Sequence, residues 1–282
     1  MSVATPDIPY ATGIRIECHV TTRCNAVCIH CDAGVGYMKI RNSDMTRDQM
    51  RRAVDMLIEQ NVTVNRFTFC GGEPVVHPDL QGLIDEADRI PGVRRGFRVL
   101  TNGLNSTAEK RVAIKLPPRF KWIVNALDDP DDPLSGKNDP TKRPNLRYHK
   151  PFWISPADIG LEASWENCTV RGWCGIGLDS NGWSVCGKAR MLGELLGIDP
   201  CMRDGDIMQH VRTPVPDICR HCQYGLPDGG VGAKARPKRK QVGAGYDIER
   251  RYAAGELPEV SPTFVAAFAQ HKQQPVIQLT KF

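Results

Sequence analysis

No run of apolar residues in this chain approaches the roughly 20 needed to span a bilayer. Its first residues, "MSVATPDIPYATG", have neither a basic stretch nor an apolar one, so no secretory signal is visible. Together these absences set the expectation of a cytoplasmic protein with no membrane partner. No internal repeat occurs, which excludes solenoid and propeller architectures. The 11 cysteines are odd in number, so they cannot all be paired as disulfides. In a reducing compartment, cysteines at motif spacing read as metal ligands or catalytic groups. The body of the chain also lacks excess charge. Net charge is +5, and residues 231–282 alone carry nine Lys/Arg against four Asp/Glu. The basic character therefore belongs to the tail.

What is present is an alternation of strand and helix patterns. "IRIECHV" (14–20), "VNRFTFC" (64–70), "FRVLTNG" (97–103) and "RFKWIVNALDD" (119–129) read as strands. Between them, "DMTRDQMRRAVDMLIEQN" carries Met50, Val54, Leu57 and Ile58 at helical spacing, with a helix start offered by Asn42-Ser43-Asp44. "HPDLQGLIDEADRI" does the same with Leu80, Leu83, Ile84 and Ala87. Such alternation predicts parallel βαβ units with functional loops at the strand C-termini. Residues 128–150, with four prolines, read as a long loop or abridged crossover. "FWISP" (152–156) then offers a fifth strand. "CGIGLDSNGWSVC" (174–186) is a hairpin pattern with an Asn-Gly turn, followed by a short helix in "ARMLGELLG". Residues 225–245 read as a flexible linker.

The first cysteine group is one ligand short. Cys24, Cys28 and Cys31 follow the first strand as Cys-x3-Cys-x2-Cys. A structural zinc site closes with four protein ligands. His30 could supply the fourth, though at strain, because it directly precedes Cys31. A [4Fe–4S] cluster takes one thiolate per iron, so three cysteines leave one iron open for a ligand. The loop lies at the C-terminal rim of a parallel sheet or barrel, where such folds place active sites.

These residues resemble the radical S-adenosylmethionine (SAM) superfamily. Cys24-x3-Cys28-x2-Cys31 looks like its cluster signature, whose open iron chelates SAM. Gly71-Gly72-Glu73-Pro74 matches the family's GGEP motif, which contacts the methionine amino group. Two glycines permit close backbone approach to a ligand, and a carboxylate suits an ammonium. Thr101-Asn102-Gly103 resembles the third-strand "TNG" near the ribose. Asn125 opens "NALD" at the fourth-strand end, a loose match, and His30 stands where relatives place an aromatic residue against adenine. The resemblance spans about residues 14–225. It implies an α/β fold: a partial (β/α)6 TIM-like barrel, abridged after strand 4, over residues 1–160.

A second cysteine group lies further on. Cys219-x2-Cys222 is a chelating pair used by both zinc and iron–sulfur sites. With Cys168, Cys174 and Cys186 it resembles the SPASM and twitch auxiliary-cluster regions of radical SAM enzymes. Residues 161–228 are then a small hairpin-plus-helix unit, and 229–282 a basic linker and tail. One auxiliary [4Fe–4S] cluster would use four of these five cysteines. Cys201 fits the set least well, and a zinc knuckle remains the alternative. Cys18 and Cys70, within strands, read as inert core thiols.

The resemblance implies an enzyme that cleaves SAM to a 5′-deoxyadenosyl radical, fed by an external one-electron reductant of the flavodoxin or ferredoxin class. Its substrate would be a small molecule or nucleotide; the alternatives are a peptide or protein maturase and a non-catalytic zinc or iron–sulfur module that binds nucleic acid. Nucleic acid is a candidate partner through "KARPKRK" (234–240), although no aromatic residues interleave with those charges. Asp128, Asp158, Glu162 and Asp179 are acid–base candidates by location alone.

Overall fold

The structure is a computed structural model that describes residues 12–25, 33, 35, 43–103, 107–124, 153–168, 175–227, 244–258 and 260–272. Strands β1 (Ile14–Thr21), β2 (Val64–Gly71), β3 (Phe97–Thr101) and β4 (Phe120–Val124) pair in parallel, in the order β4-β3-β2-β1. Helices α1 (Arg47–Glu59), α2 (Leu80–Ala87) and α3 (Ala108–Ala113) connect them. The result is a mixed α/β fold with a mostly parallel sheet, consistent with a partial TIM-like barrel.

Alternation dictates the packing. Ile14, Ile16, Cys18 and Val20 of β1 turn to one side with Phe67, Phe69, Phe97 and Val99. Onto that side α1 places Met50, Ala53, Val54 and Leu57, and α2 places Leu80, Leu83, Ile84 and Ala87. Spacings of three and four residues make each set one helical stripe. Ile58, expected in the stripe, is 41% exposed, and Ala53 takes the inward position. Phe97 and Phe120 stack across the ladder at 4.1 Å.

The start of α1 differs from the sequence expectation. Thr46, not Asn42-Ser43-Asp44, caps it. Its hydroxyl accepts from the Gln49 amide, and the Gln49 side chain accepts from the Thr46 amide, a complete capping box. Asp44 is committed elsewhere, to Thr21 and Arg23. "FWISP" is likewise not a strand at its described residues. Ser155 donates its amide to the Ser261 hydroxyl, the Trp153 carbonyl accepts from the Ser261 amide, and Pro156 opens a 3-10 turn. Backbone groups bound to a distant loop leave no ladder to join.

The hairpin is β5 (Ile176–Asp179) and β6 (Gly182–Ser184), with β7 (Cys201–Met202) beyond. β5 pairs in parallel with β1 through Ile16 opposite Ile176 and Cys18 opposite Leu178, giving one sheet of seven strands among the described residues. Helix α4 (Gly187–Leu196) follows and is buried along most of its length. Its Arg190 makes an enclosed ion pair with Asp179 at the end of β5. Removing either partner of such a pair strands a charge, at a cost of about 3–5 kcal/mol.

A second core gathers Trp153, Trp165, Val185, Leu192 and Ile218. The short helix α5 (Ile207–His210) packs Ile207 on the first core, while α6 (Pro216–Cys219) brings Ile218 to the second. The segment read as a basic tail contributes α7 (Ala244–Ala253) and α8 (Pro262–Lys272). Phe264 of α8 is fully buried in the second core, and Ile248 of α7 in a smaller one. Part of 229–282 is thus folded structure, and the basic run 234–240 lies outside the described residues. No helix among the described residues is long and apolar enough to cross a membrane.

Two histidines give the fold an acid limit. His77 accepts the Asp79 amide at Nδ1 (3.0 Å) and donates from Nε2 to the Met45 carbonyl (2.9 Å), which fixes its neutral tautomer. Burial holds both His77 and His210 below the ordinary imidazole value. The unfolded chain, protonating near 6.5, therefore binds more protons as pH falls. Stability present above about pH 6.5 is lost as pH drops through the folded-state values. The urea midpoint is expected to be lower at pH 5.5 than at pH 7.5, and equal midpoints would contradict this.

Candidate cofactor site at the strand ends

The C-terminal ends of β1, β2 and β3 meet through a chain of hydrogen bonds. Thr21 closes β1. Its hydroxyl donates to Asp44 (2.6 Å) and accepts the Arg23 amide (2.9 Å), while Arg23 pairs with Asp44 at 2.8 Å. The Thr22 amide and hydroxyl both bond to Ser43. The stem of the cysteine loop is therefore held before Cys24, which is half-buried.

The Gly-Gly-Glu-Pro turn docks on that stem. The Gly72 amide donates to the Thr21 carbonyl and the Glu73 amide to the Arg23 carbonyl, each at 2.8 Å. Gly71 has φ +119°, and a Cβ there would lie 2.5 Å from the Thr21 carbonyl oxygen; one on Gly72 would overlap the Arg23 carbonyl. Both positions need glycine to approach the cysteine loop's own backbone.

Glu73 is 1% exposed. One carboxylate oxygen accepts the Val75 amide (3.1 Å) and the other the Asn102 amide (2.6 Å). Burial raises its pKa, opposed by those two amides, the Thr101 side chain and the nearby charge of Arg111. Pro74 begins the 3-10 turn that Glu73 caps. The Asn102 side-chain amide donates in turn to Asn25 Oδ1 (2.7 Å), and the Thr101 hydroxyl accepts the Gly103 amide (3.2 Å). The cysteine loop, the Gly-Gly-Glu-Pro turn and the Thr-Asn-Gly turn are thus one bonded unit. Cys28, His30, Cys31 and Asn125 lie outside the described residues.

The later cysteines also converge. Cys168, Cys186, Cys219 and Cys222 line one pocket with Trp165, Lys188 and Leu192. Cys186 caps α4, its sulfur accepting the Ala189 amide at 3.3 Å. Burial, then the neighbouring sulfurs of Cys168, Cys222 and Cys219, push the Cys186 thiol well above its usual value. Among the described residues, no three His, Cys, Asp or Glu side chains close on a single point as one metal ion would need. Cys174 lies outside the described residues. Cys201 stands on β7, away from the pocket wall, its thiol pushed up to about 12 first by burial and then by Asp179 and Asp199.

Two acid–base candidates have structural employment. Asp158 accepts both the amide and hydroxyl of Thr263 at the start of α8, and Asp179 holds Arg190. Three contributors escaped the sequence reading. Asn25 and Asp44 stitch the cysteine loop to its neighbours. His221, beside Cys222, bonds through Nδ1 to the Ser155 hydroxyl (2.8 Å), while its Nε2 accepts from Arg220 (3.1 Å). No local pattern marks any of the three.

Comparison with known proteins falls on the same residues. Residues 18–147 match the family model described as Radical SAM superfamily. The chain is 33% identical over 182 residues to "Molybdenum cofactor biosynthesis protein 1" of Dictyostelium discoideum, covering 64% of this chain and 26% of that one. It is 30% identical over 116 residues to "S-adenosylmethionine-dependent nucleotide dehydratase" of Selenomonas ruminantium, covering 40% and 39%. To "GTP 3',8-cyclase" of Peptoclostridium acidaminophilum it is 31% identical over 119 residues, covering 37% and 36%. The chain therefore spans between 26% and 39% of the length of these curated relatives.

Proposed function

We propose that this chain, whose residues 18–147 match the radical SAM superfamily model, is a SAM-cleaving enzyme acting on a nucleotide-type small molecule. Cys24, Cys28 and Cys31 would hold a [4Fe–4S] cluster with one open iron. The observation that carries the reading is the bonded unit at the strand ends. It joins Thr21, Arg23 and Asn25, which flank Cys24, to Gly72, Glu73 and Asn102, and the family resemblance assigns the last three to SAM. When bound, the cluster and SAM supply a one-electron cleavage that yields methionine and a hydrogen-abstracting 5′-deoxyadenosyl radical.

The chain's own residues place and enclose. Glu73 fixes the Asn102 and Val75 amides, so the turn that faces SAM is set before SAM arrives. A bound ammonium would offset the desolvation that raises the Glu73 pKa. Thr21, Asp44 and Arg23 hold the base of the cysteine loop against β2.

For the second group, the four cysteines Cys168, Cys186, Cys219 and Cys222 that line one pocket match the one thiolate per iron of an auxiliary [4Fe–4S] cluster. A nucleotide-type substrate is favoured by the names of two relatives, a nucleotide dehydratase and a GTP cyclase.

Anaerobic reconstitution with iron and sulfide tests the proposal. The protein should bind about eight irons and, given SAM and a strong reductant, release 5′-deoxyadenosine. A colourless protein that binds only zinc and leaves SAM intact would overturn it.

A further inference from the structure

The core accounts for one face of β1–β4, and the alternate residues turn the other way. On that second face Arg15 stands opposite Arg66, and Arg98 opposite Lys121. Glu17, opposite Thr68, is the single carboxylate that these four strands contribute. Thr68 in turn faces Arg98, so the four cations run across adjacent strands. Like charges directly opposite in a ladder destabilise a sheet, and two such pairs on one face call for an anion. Arg15, Glu17 and Arg66 each have interactions already. The Nε of Arg98 is different: it is buried and has no hydrogen-bond partner among the described residues.

Position agrees with charge. Arg98 precedes Asn102 by four residues, about 13 Å down the strand at roughly 3.3 Å per residue. A separation of that order suits an extended nucleotide with its sugar at the strand ends and its terminal phosphates beside Arg98. We infer that this face, with Arg98 and Lys121 as its ligands, binds the phosphoryl chain of a nucleoside di- or triphosphate substrate. Charge-assisted, forked hydrogen bonds are what guanidinium groups offer to phosphate. The inference rests on the radical SAM reading, because that reading places the reacting end of the substrate at the strand C-termini.

The test is titration of the anaerobically reconstituted full chain with inorganic triphosphate by isothermal calorimetry, beside nucleosides and their triphosphates. The wild-type protein should bind triphosphate, and a nucleoside triphosphate at least tenfold more tightly than its nucleoside. Arg98→Gln and Lys121→Gln should each weaken triphosphate binding about tenfold. Lys121 is exposed on an edge strand, so K121Q keeps its fold even where R98Q does not. No measurable binding at millimolar triphosphate would overturn the inference. So would wild-type affinity in both variants, the result expected if the basic run 234–240 did the binding. SAM cleavage without added substrate separates the two layers. If cleavage is intact but triphosphate does not bind, this inference alone falls; if the wild-type cannot cleave SAM, the radical reading falls whatever the titration gives.

Discussion

Replacing Cys24, Cys28 and Cys31 together with alanine should remove about four of about eight irons and abolish 5′-deoxyadenosine formation. Cys28 and Cys31 enter through the motif, and Cys24 through its place beside Asn25 and the Gly-Gly-Glu-Pro turn. Replacing Cys186, Cys219 and Cys222 should also remove about four irons yet leave SAM cleavage measurable. Those sulfurs line a pocket in the second core, next to Trp165 and Leu192. Their loss should therefore appear as a lowered melting temperature, because a metal site that closes a small core contributes to its folding. Iron counts and product analysis on both triple variants decide the matter. 5′-Deoxyadenosine from the first variant, or equal loss of cleavage in both, would contradict the division of labour.

Glu73→Ala should be the most damaging single substitution at the strand ends. It removes the acceptor from the Val75 and Asn102 amides inside a site where the side chain is 1% exposed. Hydrogen bonds to a charged group contribute about 1.5–3 kcal/mol each, so a loss of about 3–5 kcal/mol in urea-unfolding free energy is expected. SAM cleavage should fall by more than about 100-fold, since the Asn102 turn loses its anchor. Glu73→Gln separates charge from geometry. A glutamine has one carbonyl oxygen and can serve one amide, but it is spared the burial that raises the Glu73 pKa. The sign follows: a raised folded-state value means ionised Glu73 costs stability as pH climbs past the ordinary carboxylate value. Glu73→Gln should thus lose less stability than Glu73→Ala at neutral pH while losing most of the SAM affinity. Equal stability of wild type and E73A would show that the two amides find other acceptors.

Much of this was legible because it is local. The four parallel strands follow from alternation at Ile14–Val20 and Val64–Cys70, and the helical stripes from Met50–Leu57 and Leu80–Ala87. The Gly71–Pro74 turn was found as a string of letters. The choices between distant partners were not visible. Asn42-Ser43-Asp44 has capping chemistry, but Asp44 is drawn to Thr21 and Arg23, and the cap moves to Thr46. "FWISP" has strand propensity, yet its Ser155 amide and Trp153 carbonyl bond to Ser261, more than a hundred residues away. The tail's charges masked Ile248 and Phe264, whose burial depends on cores built from earlier segments. His221 and Asn25 owe their places to folding alone.

The pairing of β5 with β1 has a consequence for any attempt to divide the chain. β1 runs directly into Cys24, and β5 leads through its hairpin to Cys186. A fragment ending before Ile176 would bare the β1 edge, leaving the amides and carbonyls that now pair with β5 open to another chain. The severed fragments would be prone to strand-to-strand aggregation, and the two cysteine groups are best handled as parts of one inseparable sheet.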